Sequence, residues 1–218
     1  MRYTVSAVEA ESVITKKPYS DMEEKLRELL LHRKRRVIND EHLRSAAVLI
    51  PLFVKDGEYH ILFIKRSQEV EYHKGEISFP GGLCEKGDAG LEKTALREAF
   101  EEIGIHPKDV ELLGMLDDMK TISTHYRVTP VVGVIPYPYP FTIQGVEVDD
   151  IIEIPLNHLL DEGSRGEESI TRDEMTYTGQ VYHYKHYLIW GATARILKNL
   201  FNVWIGLKDS LHTHSCQS

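Results

Sequence analysis

The spacing of hydrophobic and polar residues along the chain predicts a mixture of helices and strands. Leu26 and Leu30 recur at helical spacing after Ser20, a candidate N-cap, and predict an amphipathic helix over residues 20–36. A second helical pattern predicts a final helix over residues 191–205. Apolar runs predict strands near residues 46–54, 59–64, 110–116, 127–135 and 150–154, with a hairpin turn at residues 55–58. This order of elements predicts an α+β fold in which helices flank a mixed β-sheet.

A glycine loop that leads into an acidic helix is the most informative segment of the chain. Residues 79–105 read FPGGLCEKGDAGLEKTALREAFEEIGI, and Gly104 ends the predicted helix. At about 100° per residue, Glu98, Glu101 and Glu102 gather on one face of that helix, opposite its apolar residues. Carboxylates three or four residues apart repel each other by a few tenths of a kcal/mol per pair, and a divalent cation reverses that sign. The cluster therefore predicts a site for Mg²⁺ or Mn²⁺, which prefer carboxylate, water and phosphate oxygens, with a solvated acidic face as the alternative.

The same segment resembles the signature of the Nudix hydrolases. The resemblance is carried by Gly82, by Asp88 in the loop, and by residues 97–105, which read REAFEEIGI. Two departures from the common pattern are that Asp88 replaces a glutamate and that one extra residue separates it from Arg97. Neither departure removes a metal ligand. The resemblance implies an α/β/α sandwich. The expected parts of the chain are a leader with an amphipathic helix at residues 1–40, a Nudix hydrolase domain at residues 41–207 and a disordered tail at residues 208–218.

The resemblance also implies a role for each polar residue of the signature. Glu98 and Glu102 are expected to hold the metal. Glu101 is expected to be a third ligand or the base that orients water, and the carbonyl of Gly82 completes the shell. Arg97 is expected to fix the carboxylates through a salt bridge, the alternative being a solvated pair with Glu101 four residues later. Later acidic loops offer other candidates for the base: Glu147, Asp149, Asp150 and Glu153.

The segment before the glycine loop resembles the coenzyme A pyrophosphatases, a subgroup of the Nudix hydrolases. Ser67, Gly75 and residues 79–82 stand in register with residues that recur there, but Glu71 occupies the position of an arginine. A carboxylate cannot make the charge-assisted contact of a guanidinium with phosphate, which leaves the substrate open at this point. Further matches to the subgroup lie at residues 44–52, 128–132 and 189–194. Their apolar composition indicates shared core packing rather than ligand contact. The candidate substrate-binding residues are Arg66, Ser67, Lys74, Gly75, Phe79 and Gly81.

Composition excludes several classes of protein. The chain has 218 residues and a formal net charge of −8, which argues against binding to nucleic acid or to a membrane surface. An anionic small molecule must then be attracted by local cations. No apolar run reaches the roughly 18 residues of a membrane span, and the N-terminus lacks the pattern of a signal peptide. We therefore expect a cytoplasmic protein.

These observations lead to one functional hypothesis and two alternatives. The hypothesis is Mg²⁺- or Mn²⁺-dependent hydrolysis of a pyrophosphate bond in a nucleotide-linked small molecule. The leading substrate is coenzyme A or a derivative, which would yield 3′,5′-ADP and 4′-phosphopantetheine. The first alternative is a pyrophosphatase of ADP-ribose or a dinucleotide. The second is a Nudix-fold ligand sensor without hydrolysis, which the complete set of Glu98, Glu101 and Glu102 disfavours. A homodimer is expected from the resemblance alone.

Overall fold

Runs of three or four strands separate the α-helices along the described part of the chain. The computed structural model describes residues 20–70, 73–121, 124–172 and 175–215. The helices are α1 (Asp21–His32), α2 (Leu91–Ile103), α3 (Leu156–Leu160) and α4 (Gly191–Ser215). The strands are β1 (Arg44–Lys55), β2 (Glu58–Arg66), β3 (Ile77–Ser78), β4 (Gly81–Leu83), β5 (Glu111–Met115), β6 (Met119–Lys120), β7 (Tyr126–Val134), β8 (Val148–Pro155), β9 (Arg165–Arg172), β10 (Met175–Tyr184) and β11 (Tyr187–Ile189). Within these residues, no helix is both long enough and apolar enough to cross a bilayer.

The two terminal helices differ from their predicted lengths. Helix α1 begins after the capping residue Ser20 as predicted, but it ends at His32 rather than at residue 36. The chain is extended at Arg33, whose side chain pairs with Asp117 in the loop between β5 and β6. Helix α4 begins at the predicted residue and continues to Ser215, into the segment that we expected to be disordered. The remainder of that segment lies outside the described residues.

The main sheet is organised around the long strand β1. On one side, β1 pairs in parallel with β7 along nine residues, from Arg44 opposite Tyr126 to Leu52 opposite Val134. On its other side, β1 has two antiparallel partners: β2 at its C-terminal end and β4 at its N-terminal end. Strand β3 pairs with β2 near Ile64. Strands β1 and β2 therefore diverge, and the glycine segment that contains β4 fills the gap between them.

Both faces of the main sheet are covered, which gives the three layers of an α/β/α sandwich. Side chains of β1 alternate between two apolar clusters: Ala46 and Ile50 pack with residues of α1 and α4, whereas Leu49 and Phe53 pack with residues of α2. Leu49, Ile50 and Phe53 have no exposed surface. Period-two alternation with both sets buried is expected for a central strand between two helical layers. The predicted fold class is confirmed.

A second sheet of three antiparallel strands, ordered β11–β10–β9, was not predicted. Strand β10 contacts α4, and β11 contacts β3. Residues 165–172 read RGEESITR, a polar sequence without the alternation that marks a half-buried strand. The β9–β10 hairpin is instead held by antiparallel backbone pairing, which runs from Arg165 opposite Tyr182 to Arg172 opposite Met175. This sheet brings residues from the C-terminal third of the chain to the glycine segment.

Candidate active site

Two adjacent glycines of β4 allow the acidic face of α2 to approach the main sheet. Gly81 has φ of +155°, and a side chain there would overlap the backbone of Ala47. A Cβ atom on Gly82 would lie 2.5 Å from the carboxyl carbon of Glu98. The N–H of Gly81 donates to Oε2 of Glu102 at 2.9 Å. A side chain at position 81 would thus collide with β1, and one at position 82 would displace the carboxylate of Glu98.

The guanidinium of Arg97 connects the loop to the helix. Its Nε and Nη2 donate to the two carboxylate oxygens of Asp88 at 3.1 and 3.0 Å, a bidentate pair. Its Nη1 donates to Glu98 at 2.8 Å and to Glu101 at 3.2 Å. Its Nη2 also donates to the carbonyl of Leu83 at 3.0 Å. Arg97 is therefore an organising group held by several partners, and a single solvated pair with Glu101 does not describe it.

Asp88 is the residue that fixes the loop before α2. Besides Arg97, its carboxylate accepts from the hydroxyl of Thr94 at 2.8 Å and from the N–H of Glu85 at 2.9 Å. The hydrogen bonds from Arg97 hold the pKa of Asp88 well below its usual range, and those to Asp88 raise the pKa of Arg97. Both groups are thus firmly charged at neutral pH. An aspartate in this place carries out the organising role although it departs from the common pattern.

The other carboxylates of α2 lack a full set of partners. Glu102 is 5% exposed, and within the described residues its carboxylate has two polar neighbours, the N–H of Gly81 and, at 4.0 Å, Nη1 of Arg66. Burial raises the pKa of Glu102 to about 8, and burial also raises the pKa of Glu98. Desolvated carboxylates with raised pKa values are stabilised in their charged form by a nearby cation. This donor set of carboxylate oxygens next to a glycine backbone fits Mg²⁺ or Mn²⁺.

The carboxylates do not converge on one point. Among the described residues, no group of three His, Cys, Asp or Glu side chains is placed to hold a metal ion. The reason is visible in the contacts: Glu102 faces Gly81, whereas Glu98 and Glu101 face Arg97.

A cavity of about 760 Å³ lies beside α2, and of the three glutamates Glu98 lines it whereas Glu101 and Glu102 do not. Of the predicted site residues, those that line it are Arg66, Phe79, Gly81, Gly82 and Glu98. Ser67 and Gly75 shape the loop before the cavity instead. The N–H of Ser67 donates to the carbonyl of Glu147 at 2.9 Å, and the N–H of Gly75 donates to the carbonyl of Arg66 at 3.0 Å. Lys74 is exposed and does not line the cavity, and Glu71 lies outside the described residues.

The four later acidic residues differ in their position. Glu147 lines the cavity and lies 4.0 Å from Nη2 of Arg66. Glu153 pairs with Lys55 at 2.7 Å, and Asp150 accepts from the hydroxyl of Tyr187 at 2.9 Å. Glu153, Asp150 and Asp149 are absent from the cavity wall. Of the four, Glu147 is the one whose position suits a reaction in this cavity.

Part of the cavity wall was missed by sequence reasoning. It comes from β7, the tip of the β9–β10 hairpin and the start of α4, and it includes Tyr126, Tyr177, Trp190, Thr193 and Arg195. Residues 189–194 were interpreted as core packing because they are mostly apolar. The one indication in the sequence that this segment faces a cavity is Arg195, a cation that precedes the apolar residues of α4.

Comparisons with known proteins show which family the chain resembles. The model of the NUDIX domain family matches residues 43–172. An uncharacterized Nudix hydrolase, NudL, from Salmonella paratyphi B is 38% identical over 165 residues, which cover 76% of this chain and 84% of that protein. NudL from Salmonella enteritidis matches to the same extent. A MutT/nudix family protein from Enterococcus faecalis has a similar structure, with a TM-score of 0.50 and 16% identity over 86% of this chain and 75% of that chain. The last likeness concerns the fold alone.

Proposed function

The chain belongs to the Nudix hydrolase family, and we propose that its substrate is coenzyme A or a derivative, cleaved to 3′,5′-ADP and 4′-phosphopantetheine. As a Nudix hydrolase it splits pyrophosphate bonds in nucleotide-linked substrates. The observation that carries the substrate proposal is the make-up of the cavity wall. The glycine segment and residues 190–193, which are distant in sequence and both resemble the coenzyme A subgroup, line the same cavity.

The size of the cavity supports a large substrate. Pockets of about 300–1,000 Å³ enclose most of a drug-sized ligand. A volume of about 760 Å³ exceeds what inorganic pyrophosphate requires. Aromatic rings of Tyr126 and Trp190 on its wall suit the flat face of a nucleobase. The cavity therefore suits a nucleotide-linked diphosphate together with the group attached to its second phosphate.

Nudix hydrolases use divalent metals, and we propose that Mg²⁺ or Mn²⁺ is held here by Glu98, Glu102 and Glu101 with the carbonyl of Gly82. When bound, such a cation neutralises diphosphate oxygens and lowers the pKa of a water molecule. Arg97 positions Glu98 and Glu101 through its hydrogen bonds. A positively charged side chain of the protein compensates the remaining negative charge of the diphosphate.

Arg66 is the cation best placed for that role. Its guanidinium lines the cavity 4.0 Å from both Glu102 and Glu147, longer than a hydrogen bond to either carboxylate. Its Nε is buried and has no hydrogen-bond partner in the described part of the chain. A diphosphate oxygen supplies that partner.

Two carboxylates compete for the role of the base that accepts a proton from water. Glu101 is 56% exposed and its carboxylate lies 3.2 Å from Arg97. Glu147 is 61% exposed and lines the cavity. Glu101→Gln and Glu147→Gln distinguish them through the pH dependence of kcat. Replacement of the base removes the acidic limb of the profile, whereas replacement of a residue with another role lowers kcat and keeps that limb.

A turnover screen tests the substrate proposal. The purified protein with Mg²⁺, and separately with Mn²⁺, is offered coenzyme A, ADP-ribose, a dinucleoside polyphosphate and a nucleoside triphosphate. We expect the highest kcat/KM for coenzyme A. A higher value for ADP-ribose or the dinucleotide establishes the first alternative, a pyrophosphatase of those compounds. Binding of these compounds without turnover of any establishes a ligand sensor.

A further inference from the structure

A second arginine lines the cavity on the α4 side of the main sheet, opposite the layer that contains α2. Nη2 of Arg195 donates to the carbonyl of Lys120 at 2.8 Å. Its Nε is buried without a hydrogen-bond partner in the part of the chain that the structure describes. No carboxylate within the described residues forms an ion pair with it, in a protein whose net charge is −8. A guanidinium that faces a cavity without a counter-ion is suited to an anionic ligand.

A hydroxyl group two residues before Arg195 on α4 also lines the cavity without a partner among the described residues. Thr193 is 8% exposed and lines the cavity, and its hydroxyl forms no hydrogen bond with another described residue. A hydroxyl on the cavity wall that has no partner among the described residues is open to a ligand. Gly191 and Ala192, also on the cavity wall, belong to the first turn of the 25-residue helix α4. N–H groups of a first turn have no partner within the helix and carry partial positive charge.

We propose that residues 191–193 and Arg195, which we call the α4 site, bind a phosphate monoester of the substrate that is separate from the cleaved diphosphate. This inference rests on the proposed function, since the same cavity must hold both groups. Coenzyme A has such a group, the 3′-phosphate of its ribose. Dephospho-coenzyme A lacks it but retains the same pyrophosphate bond. The α4 site therefore selects between two substrates that are otherwise identical at the point of cleavage.

Kinetics with this pair of substrates test the α4 site. We expect wild type to prefer coenzyme A by about 10-fold or more in kcat/KM, the effect of one well-formed charge-assisted contact. Arg195→Gln should remove that preference, mainly through KM for coenzyme A, and leave dephospho-coenzyme A unchanged. Arg195→Lys keeps the charge and should retain part of the preference. An equal loss for both substrates in Arg195→Gln would overturn the proposal.

Lys198→Gln is the matched control, because Lys198 lies three residues later on the same helix, is exposed and is absent from the wall of this cavity. It removes the same charge from α4 and should leave both substrates unaffected. Thermal unfolding of Arg195→Gln checks that loss of the hydrogen bond to the carbonyl of Lys120 leaves the fold intact, and we expect a melting temperature near that of wild type. A preference lost equally in Lys198→Gln would reveal a general effect of charge and contradict a local site.

Binding without metal separates the α4 site from the proposed function. In excess EDTA, calorimetric titration should show that wild type binds 3′,5′-ADP about 10-fold more tightly than 5′-AMP, and that Arg195→Gln binds them equally. Equal or undetectable binding of both by wild type overturns the α4 site. If wild type with Mg²⁺ fails to hydrolyse coenzyme A but its binding of 3′,5′-ADP depends on Arg195, the proposed function fails and the α4 site stands.

Discussion

Two regions beside the cavity, the signature loop with α2 and the start of α4, have opposite electrostatic requirements. At the signature end of the site, Arg97 is surrounded by carboxylates, yet among the described residues the buried carboxylate of Glu102 has one N–H donor, that of Gly81, and Arg66 at 4.0 Å. At the α4 end, Arg195 has a carbonyl partner and no carboxylate among the described residues. The carboxylate of Glu102 thus lacks a close cation, and the guanidinium of Arg195 lacks an anion, among the described residues. A metal-bound diphosphate that carries a further phosphate would satisfy both.

Removal of a carboxylate at the signature end should have the largest effect. We expect Glu98→Gln and Glu102→Gln each to lower kcat roughly 10³-fold, because each removes a charged ligand from the metal and charge stabilisation from the transition state. The same changes should raise the melting temperature of the metal-free protein slightly at neutral pH, since burial disfavours the charged form of both carboxylates and a neutral amide does not carry that cost. Steady-state kinetics across a Mg²⁺ titration and thermal unfolding in EDTA measure the two effects. Wild-type turnover at subsaturating Mg²⁺ in either variant would exclude the metal site.

A methyl group beside Glu98 should have the next largest effect. In Gly82→Ala the new Cβ would lie 2.5 Å from the carboxyl carbon of Glu98, which must move, and we expect turnover to fall roughly 100-fold. Stability should change little, because the group that moves is the end of a flexible side chain. Gly87→Ala is the matched control in the same loop, since a Cβ there meets no atom within 4 Å. Equal activity of the two alanine variants would show that close approach at Gly82 does not matter.

Asp88 should contribute less to turnover and more to stability. Asp88→Asn keeps the shape of the side chain but removes the charge that holds Arg97. We expect a loss of about 10-fold in turnover through the loosened carboxylates and about 2 kcal/mol in the free energy of unfolding. Denaturant unfolding at pH 7 and initial rates with saturating Mg²⁺ measure these losses. If Asp88→Asn kept full activity but lost stability, the role of Asp88 would be structural only.

The contribution of Asp88 to stability should depend on pH. Its pKa is lowered in the folded protein, so its contribution is present above the unfolded value of about 3.9 and is lost as pH falls further. The difference in unfolding free energy between wild type and Asp88→Asn should therefore be largest near neutral pH and shrink below about pH 4. Unfolding curves at several pH values measure it. A difference that stays constant down to about pH 2 would contradict the charged pair with Arg97.

The two regions beside the cavity also differ in how far they can be predicted from sequence. Glu98, Glu101 and Glu102 are close in sequence, and helical periodicity alone places them on one face. Arg195 and Tyr177 reach the cavity only because the second sheet packs against α4, and long-range packing leaves no periodic trace in residues 165–172. The sequence also could not show that Asp88 binds the guanidinium of Arg97, or that Ser67 and Gly75 shape a loop. Those roles depend on hydrogen bonds formed after folding.

The central claim is metal-assisted attack of water on a phosphorus of coenzyme A, and isotope labelling tests it directly. Coenzyme A is hydrolysed with Mg²⁺ in ¹⁸O-water, and the products are analysed by mass spectrometry. We predict one ¹⁸O atom on the 5′-phosphate of 3′,5′-ADP or on the phosphate of 4′-phosphopantetheine, and no products in excess EDTA. Absence of label from both phosphates, or undiminished product formation in the chelator, would contradict the claim.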